Sequence, residues 1–164
     1  MTTAFDPLFA VRVLLRHQVR FLVVGGMAAV VWGSPTVTND LDICYARDRI
    51  NLERLAAVLR ELNATLRRAP DDLPFQLDAR TLQLGDAFTF STDAGNLDIL
   101  GKPSGTEGYE DLIKSAGSFD LGEGCVVHVV SLSDLMRMKA ATGRPKDLVA
   151  LEILEALRQE REKE

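Results

Sequence analysis

The stretch Asp40-Leu41-Asp42-Ile43 decides how this chain folds, and a second stretch, Asn96-Leu97-Asp98, matches it further along the sequence. Because side chains alternate along a β-strand, the acids of the first stretch emerge on one face and its apolar residues on the other. If the second stretch lies alongside, three carboxylates crowd one small region. Such a group repels itself unless a divalent cation lies between its members. The pattern predicts a magnesium site for a nucleoside triphosphate, with Asp40, Asp42 and Asp98 as its ligands.

A pair of glycines, Gly25-Gly26, precedes the acidic pair by fourteen residues. The segment 20–24 before them predicts a short buried strand, and the apolar run 27–32 after them predicts a helix. Glycines between a strand and a helix let the backbone approach an oxyanion, and the free N–H groups at the helix start face it. A glycine pair alone is typical of any tight turn. Its combination with three strand acids favours a phosphate-binding turn.

Composition limits the classes of function. The chain has 164 residues, of which 46% are hydrophobic and 26% charged, as in an ordinary globular domain. The net charge of −5 argues against broad, sequence-independent binding to nucleic acid. A local basic patch stays open, either at Arg67-Arg68 or at the group Lys139, Arg144 and Lys146.

The hydrophobic pattern and the cysteine count both favour a cytoplasmic location. The longest apolar run, 27–32, is far too short to cross a bilayer, and the beginning of the sequence lacks the pattern of a signal peptide. The two cysteines, Cys44 and Cys125, are expected to be buried thiols in a reducing environment. We therefore expect a cytoplasmic protein without a membrane partner.

The order of predicted elements indicates the fold class. Helices are expected at about 6–17, 27–32, 49–62, 109–115, 132–141 and 145–161, and strands at 20–24, 41–45, 87–91, 96–100 and 125–130. The segment 63–85, with Pro70, Pro74 and Asp71-Asp72, is expected to be mostly loop with a short helical turn, and 101–105 a mobile connection. Strands and helices mix without strict alternation, which favours an α/β protein of the α+β type with a mixed β-sheet and flanking helices. We expect a single domain over 1–164, with the C-terminal helices of about 132–164 packing on it.

Several motifs together resemble the nucleotidyltransferase superfamily related to DNA polymerase β. They are Val24-Gly25-Gly26, Asp40-Leu41-Asp42-Ile43 and Leu97-Asp98-Ile99-Leu100. The chain is also similar to small bacterial nucleotidyltransferases of the AbiEii toxin type. That narrower resemblance adds the loop 30–38, the basic segment 135–140 and the segment Arg144-Pro145-Lys146-Asp147-Leu148. The resemblance implies a nucleotidyltransferase fold.

The resemblance also implies roles for individual residues. Asp40 and Asp42 would hold two Mg²⁺ ions and, through them, the triphosphate, while Asp98 would complete the metal site and help deprotonate the acceptor hydroxyl. The remaining implied residues would bind the nucleotide: Gly25, Gly26 and Thr38 from the glycine turn and its loop, and Lys139, Lys146 and Asp147 from the late helices. The implied reaction is a two-metal in-line displacement that moves a nucleoside monophosphate from an NTP to a hydroxyl.

Acceptor and partner stay open at the level of sequence. The AbiEii resemblance implies the toxin of a toxin–antitoxin pair, with a tRNA end or a protein as acceptor and an antitoxin protein as partner; a small-molecule hydroxyl is the other possibility. The loop has Thr36 where that family usually has Arg, and Ala150 where a second Asp usually follows the Lys-Asp pair. A catalytically decayed nucleotide-binding or interaction module of the same fold is therefore the alternative function. A purely structural role for the acids would require that they do not converge.

Overall fold

The structure is a computed structural model that describes residues 4–70 and 75–163. Its helices are Pro7–Arg16 (α1), Gly25–Trp32 (α2), Arg49–Glu61 (α3), Ala79–Leu84 (α4), Tyr109–Leu112 (α5), Leu132–Thr142 (α6) and Pro145–Glu162 (α7). Its strands are Phe21–Val24 (β1), Asp40–Tyr45 (β2), Thr65–Leu66 (β3), Ala87–Thr92 (β4), Gly95–Leu100 (β5), Gly117–Asp120 (β6) and Val126–Val129 (β7). Of the segment expected to be mostly loop, Asp71-Asp72 and Pro74 lie outside the described residues.

The strands form one mixed sheet in the order β3-β4-β5-β2-β1-β7-β6. The central pairs β2–β5 and β1–β7 are parallel, whereas β1–β2 and the outer pairs are antiparallel. Helices flank this sheet, so the predicted fold class, a mixed sheet with flanking helices, is confirmed.

Side-chain caps explain where several helices begin. Asp6 accepts a hydrogen bond from the backbone N–H of Phe9 at 3.1 Å, and Pro7 occupies the first turn of α1. Asp48 caps α3 in the same way through the N–H of Asn51, also at 3.1 Å. The apolar side chains that these helices bury join the core.

Strand β2 separates the core from the candidate site. Leu41, Ile43 and Tyr45 are almost fully buried and belong to the hydrophobic core. Asp40 and Asp42 alternate with them and therefore emerge on the opposite face of the sheet. One strand thus supplies both core packing and the acidic side chains.

Most predicted elements are confirmed, with two differences. The edge strands β3 and β6 were not predicted, because each is short and lacks a periodic apolar pattern. The helix at 109–115 is shorter than predicted and spans only Tyr109–Leu112. The connection 101–105 lies against α6, since a Cβ on Gly105 would come within 2.7 Å of the Ala141 Cβ, and its mobility stays a prediction.

Candidate functional site

Parallel pairing of β2 with β5 brings two of the predicted acids together. Asp42 lies directly opposite Asp98 in the register, and Asp40 lies opposite Asn96. Residues opposite each other in a sheet point to the same face. The convergence that the sequence predicted is therefore present for Asp42 and Asp98 at the centre of the sheet.

Asp42 and Asp98 lie opposite each other in the sheet, and burial dominates their electrostatics. Burial, followed by the charge of Asp98, raises the pKa of Asp42 to about 7. Burial also raises the pKa of Asp98, although the guanidinium of Arg67 opposes this rise. Asp42 Oδ1 is buried and has no hydrogen-bond partner. An orphaned carboxylate oxygen beside a second carboxylate is the donor chemistry that a hard cation such as Mg²⁺ prefers.

The third predicted ligand, Asp40, lies to one side of this pair. Its Oδ1 accepts a hydrogen bond from Nδ2 of Asn96 at 2.9 Å. Within residues 4–70 and 75–163, no group of three His, Cys, Asp or Glu side chains is arranged to hold one metal ion. The structure thus forms a pair of carboxylates with the third alongside, and the three-ligand magnesium site stays a prediction.

Gly25 begins α2 directly beside the carboxylate pair. Its φ of +67° lies in the left-handed region, and a Cβ there would overlap Asp42 Oδ2 and lie 2.9 Å from Asp42 Cγ. The absence of a side chain therefore allows the backbone at the start of the helix to lie against the acid. The phosphate-binding role of this turn stays a prediction.

Gly26 and Thr38 lie next to each other at the entrance to β2. A Cβ on Gly26 would lie 3.1 Å from Thr38 Oγ1. The same hydroxyl donates to the backbone carbonyl of Asp40 at 3.2 Å. In this structure the Thr38 side chain therefore stabilises the backbone at Asp40.

Arg67 is a residue of the site whose role the sequence did not reveal. Its Nη2 lies 2.8 Å from Asp98 Oδ1, and the two side chains are only 18% and 19% exposed. Nη1 donates to the carbonyl of Phe90 at 3.0 Å, and the backbone N–H of Arg67 donates to the carbonyl of Thr89. Arg67 therefore extends the ladder between β3 and β4 and reaches across β4 to the acid on β5. The surface patch considered at Arg67-Arg68 thus turns one of its cations inward.

A cavity of about 420 Å³ opens beside Asp42 and Gly25. One wall is α6, another is the end of β5 with the start of β4, and a third is the connection after β5. Its lining combines cations with apolar side chains: Val24, Gly25, Asp42, Asp86, Ala87, Leu100, Lys102, Pro103, Ser104, Leu135, Met138, Lys139, Thr142 and Arg144. The lining thus offers both charged and apolar side chains to a ligand.

Asp147, at the start of α7, organises the cationic wall of this cavity. It is fully buried and accepts hydrogen bonds from Arg144 Nε at 2.7 Å and Thr142 Oγ1 at 2.8 Å. Lys139 Nζ lies 3.5 Å from Asp147 Oδ1. The hydrogen bonds from Arg144, followed by that from Thr142, hold the pKa of Asp147 well below its usual range. The prediction that Asp147 orients a basic residue agrees with these contacts.

Lys146 and Cys44 lie close in sequence to residues of the site, but neither is placed to act in it. Lys146 is exposed on α7 and is not among the residues that line the cavity, whereas Arg144, two positions earlier, is. Cys44 follows Asp42 on the same strand, but burial raises the pKa of its thiol to about 12. A thiol in that state packs and does not act as a nucleophile.

Among residues 4–70 and 75–163, none of the helices could span a bilayer.

No protein-family model matches this chain, and no curated protein matches it. Several solved structures are similar to it in three dimensions. The lincosamide antibiotic adenylyltransferase LnuA, in its lincomycin-bound structure, is 10% identical, with a TM-score of 0.63 over 95% of this chain and 99% of the other.

Two further structures share the fold. A protein of Thermotoga maritima proposed to be a nucleotidyltransferase is 17% identical, with a TM-score of 0.51 over 99% of this chain and 98% of its own. The antibiotic-resistance factor ANT(2″)-Ia is 14% identical, with a TM-score of 0.50 over 94% of this chain and 88% of its own. Similarity at such low identity shows the fold alone, and that fold is the nucleotidyltransferase fold predicted from the sequence.

Proposed function

We propose, from the fold shared with these nucleotidyltransferases, that this protein transfers a nucleoside monophosphate from an NTP to an acceptor hydroxyl. The observation that carries the proposal is the register that places Asp42 opposite Asp98, with Asp42 against Gly25 and both Asp42 and Gly25 lining a cavity that Lys139 and Arg144 also line. Acids, a glycine turn and cations lie near one another there, although their elements are far apart in sequence. A purely structural role would not require this convergence.

The residues present fit a divalent cation. Asp42 Oδ1 is buried without a partner, and its neighbour Asp98 supplies more carboxylate oxygen. Asp42 and Asp98 would hold Mg²⁺, and Asp40 would join them once its side chain leaves Asn96. We propose two ions, as the resemblance implies. Bound Mg²⁺ would supply charge stabilisation to the transferred phosphoryl group.

Each remaining group has a defined task in this reaction. The N–H groups at Gly25 and Gly26 would bind phosphate oxygens, and Lys139 and Arg144 would offset the negative charge of the triphosphate. Asp98 would accept the proton of the acceptor hydroxyl as its oxygen bonds to the α-phosphorus. The bond from that phosphorus to the β-phosphate oxygen then breaks, and pyrophosphate leaves.

The acceptor is proposed only as a hydroxyl compound. LnuA is described with lincomycin bound, which supports a small molecule as one acceptor class. A macromolecule, either a tRNA end or a protein side chain, is the other acceptor class. We also propose the toxin role, the antitoxin partner and the cytoplasmic location that the sequence suggested.

The test separates these acceptor classes directly. Purified protein is incubated with each of the four α-³²P-labelled NTPs, Mg²⁺, and the RNA, protein and small-molecule fractions of a cell extract. We expect label in one fraction with wild-type protein and none with Asp42→Asn. Label in no fraction, together with no NTP binding, would overturn the proposal.

One observation favours the alternative, a non-catalytic nucleotide-binding module. Asp98 already pairs with Arg67 and Asp40 with Asn96, so two of the three acids have protein partners. Under this alternative, NTP binding would require Asp42 and no product would form with any fraction. Calorimetry with Mg²⁺ and a nonhydrolysable NTP, run beside the transfer assay, distinguishes the two functions.

A further inference from the structure

The connection between β5 and α5 forms one wall of the cavity, and it presents a cation that the sequence did not single out. Lys102 and Ser104 are exposed on this connection and line the cavity together with Lys139 and Arg144. We propose that Lys102 is the third cation of a subsite that binds the phosphate chain of the nucleotide. This inference rests on the proposed function and extends it to a residue outside the glycine turn and the late helices.

The connection is a built turn that can hold a side chain in place. The N–H and Oγ1 of Thr106 both donate to the carbonyl of Pro103, at 3.1 and 2.8 Å. The N–H of Gly108 donates in turn to Thr106 Oγ1 at 3.1 Å. Gly105 has a φ of +80° and lies against the carbonyl of Arg137 on α6, where a Cβ would come within 3.3 Å of the oxygen. The segment is thus fixed to the helix that carries Lys139.

Lys102 is available to a ligand. Its Nζ lies 3.5 Å from Glu107 Oε2, and these side chains are 55% and 82% exposed. An ion pair exposed to this extent is worth little, so little stability is lost when the ammonium turns to a new partner. Lys139 and Arg144 differ from it, because both contact the buried carboxylate of Asp147.

The charges around the cavity specify the class of ligand. Its lining holds three cations, Lys102, Lys139 and Arg144, against two acids, Asp42 and Asp86. Asp42 is the group proposed to hold Mg²⁺, which leaves three cations against one acid, Asp86, in the lining. A chain of phosphates complements a wall of this kind, because each phosphate offers several charged acceptor oxygens.

The experiment uses inorganic tripolyphosphate, because the preferred base is unknown and this probe carries only the phosphate chain. Its binding to the full chain in the presence of Mg²⁺ is measured by calorimetry at two salt concentrations. We expect Lys102→Gln to weaken binding about tenfold, as loss of one charge-assisted hydrogen bond would, and Lys102→Arg to retain most of the affinity. The loss should be smaller at high salt.

Lys114→Gln is the matched control, since Lys114 is exposed and does not line the cavity. It should bind tripolyphosphate as the wild type does. Equal affinities of Lys102→Gln and wild type would overturn the role of Lys102 and leave the proposed function standing. Equal losses in the Lys102 and Lys114 variants would also overturn it, by showing a general charge effect. Wild-type protein that binds neither tripolyphosphate nor any NTP would instead overturn the proposed function.

Discussion

Replacing Gly25 by Ala perturbs the candidate site at the point where backbone and carboxylate meet. The φ of +67° costs an L-residue about 1–2 kcal/mol. The added methyl group overlaps Asp42 Oδ2 and lies 2.9 Å from its Cγ, so the Asp42 side chain must rotate away, at a further cost of about 1 kcal/mol. The reduced entropy of the unfolded chain returns about 0.4–1 kcal/mol. We therefore expect the free energy of unfolding to fall by about 1–3 kcal/mol.

The matched control is Gly26→Ala, one residue further along α2. A Cβ there lies 3.1 Å from Thr38 Oγ1, a contact that a small shift relieves, and Ala is the better helix former. Its free energy of unfolding should stay within about 1 kcal/mol of the wild type. Urea denaturation followed by the fluorescence of Trp32 measures both variants, and titration with Mn²⁺ reports on Asp42. If Gly25→Ala were as stable as Gly26→Ala and bound Mn²⁺ as the wild type does, the close approach of the helix start to Asp42 would be refuted.

Three other perturbations test the site. Because the pKa of Asp42 is about 7 in the folded state against 3.8 unfolded, the metal-free folded protein keeps a proton that the unfolded chain loses between these values. Its stability relative to Asp42→Asn should therefore fall as the pH rises from 4 to 7 and level off above, as urea denaturation across pH would show; a flat difference would contradict the buried acid pair. Arg67→Met should slow transfer by about tenfold or more and lower stability by about 1–3 kcal/mol by leaving its partner carboxylate unpaired, whereas Arg68→Met, on the exposed neighbour, should match the wild type in both assays. Asp147→Asn removes the buried charge that holds Lys139 and Arg144 in place, so both cations should be less well oriented. NTP binding measured by calorimetry should weaken and the urea midpoint should drop; unchanged binding would remove Asp147 from the site.

The central sheet and its acids were predictable because their signals are local. Alternation in the stretch 40–43 requires that its acids and apolar residues lie on opposite faces, and buried Leu41 and Ile43 fix which face is the core. The strand that carries Asp98 is similarly apolar on one side. Register then brings Asp42 and Asp98 together as soon as the two strands pair in parallel.

Arg67, which contacts Asp98, and Lys102, which lines the cavity, gave no such signal. Arg67 reaches Asp98 only because the two-residue strand β3 pairs with β4, and a strand that short has no sequence periodicity. Lys102 belongs to a glycine-rich connection that resembles an unstructured linker, and its packing on α6 depends on contacts distant in sequence. The position of Asp40 also escaped prediction, since its partner Asn96 is defined by the register of β5.

The central claim is that Asp42 and Asp98 hold the divalent cation on which nucleotide binding depends. Electron paramagnetic resonance counts free and bound Mn²⁺ directly while the protein is titrated with a mixture of the four nonhydrolysable NTPs. The account predicts that wild-type protein binds Mn²⁺ more tightly when nucleotide is present and that Asp42→Asn loses this binding. Equal Mn²⁺ binding by the two proteins would contradict it.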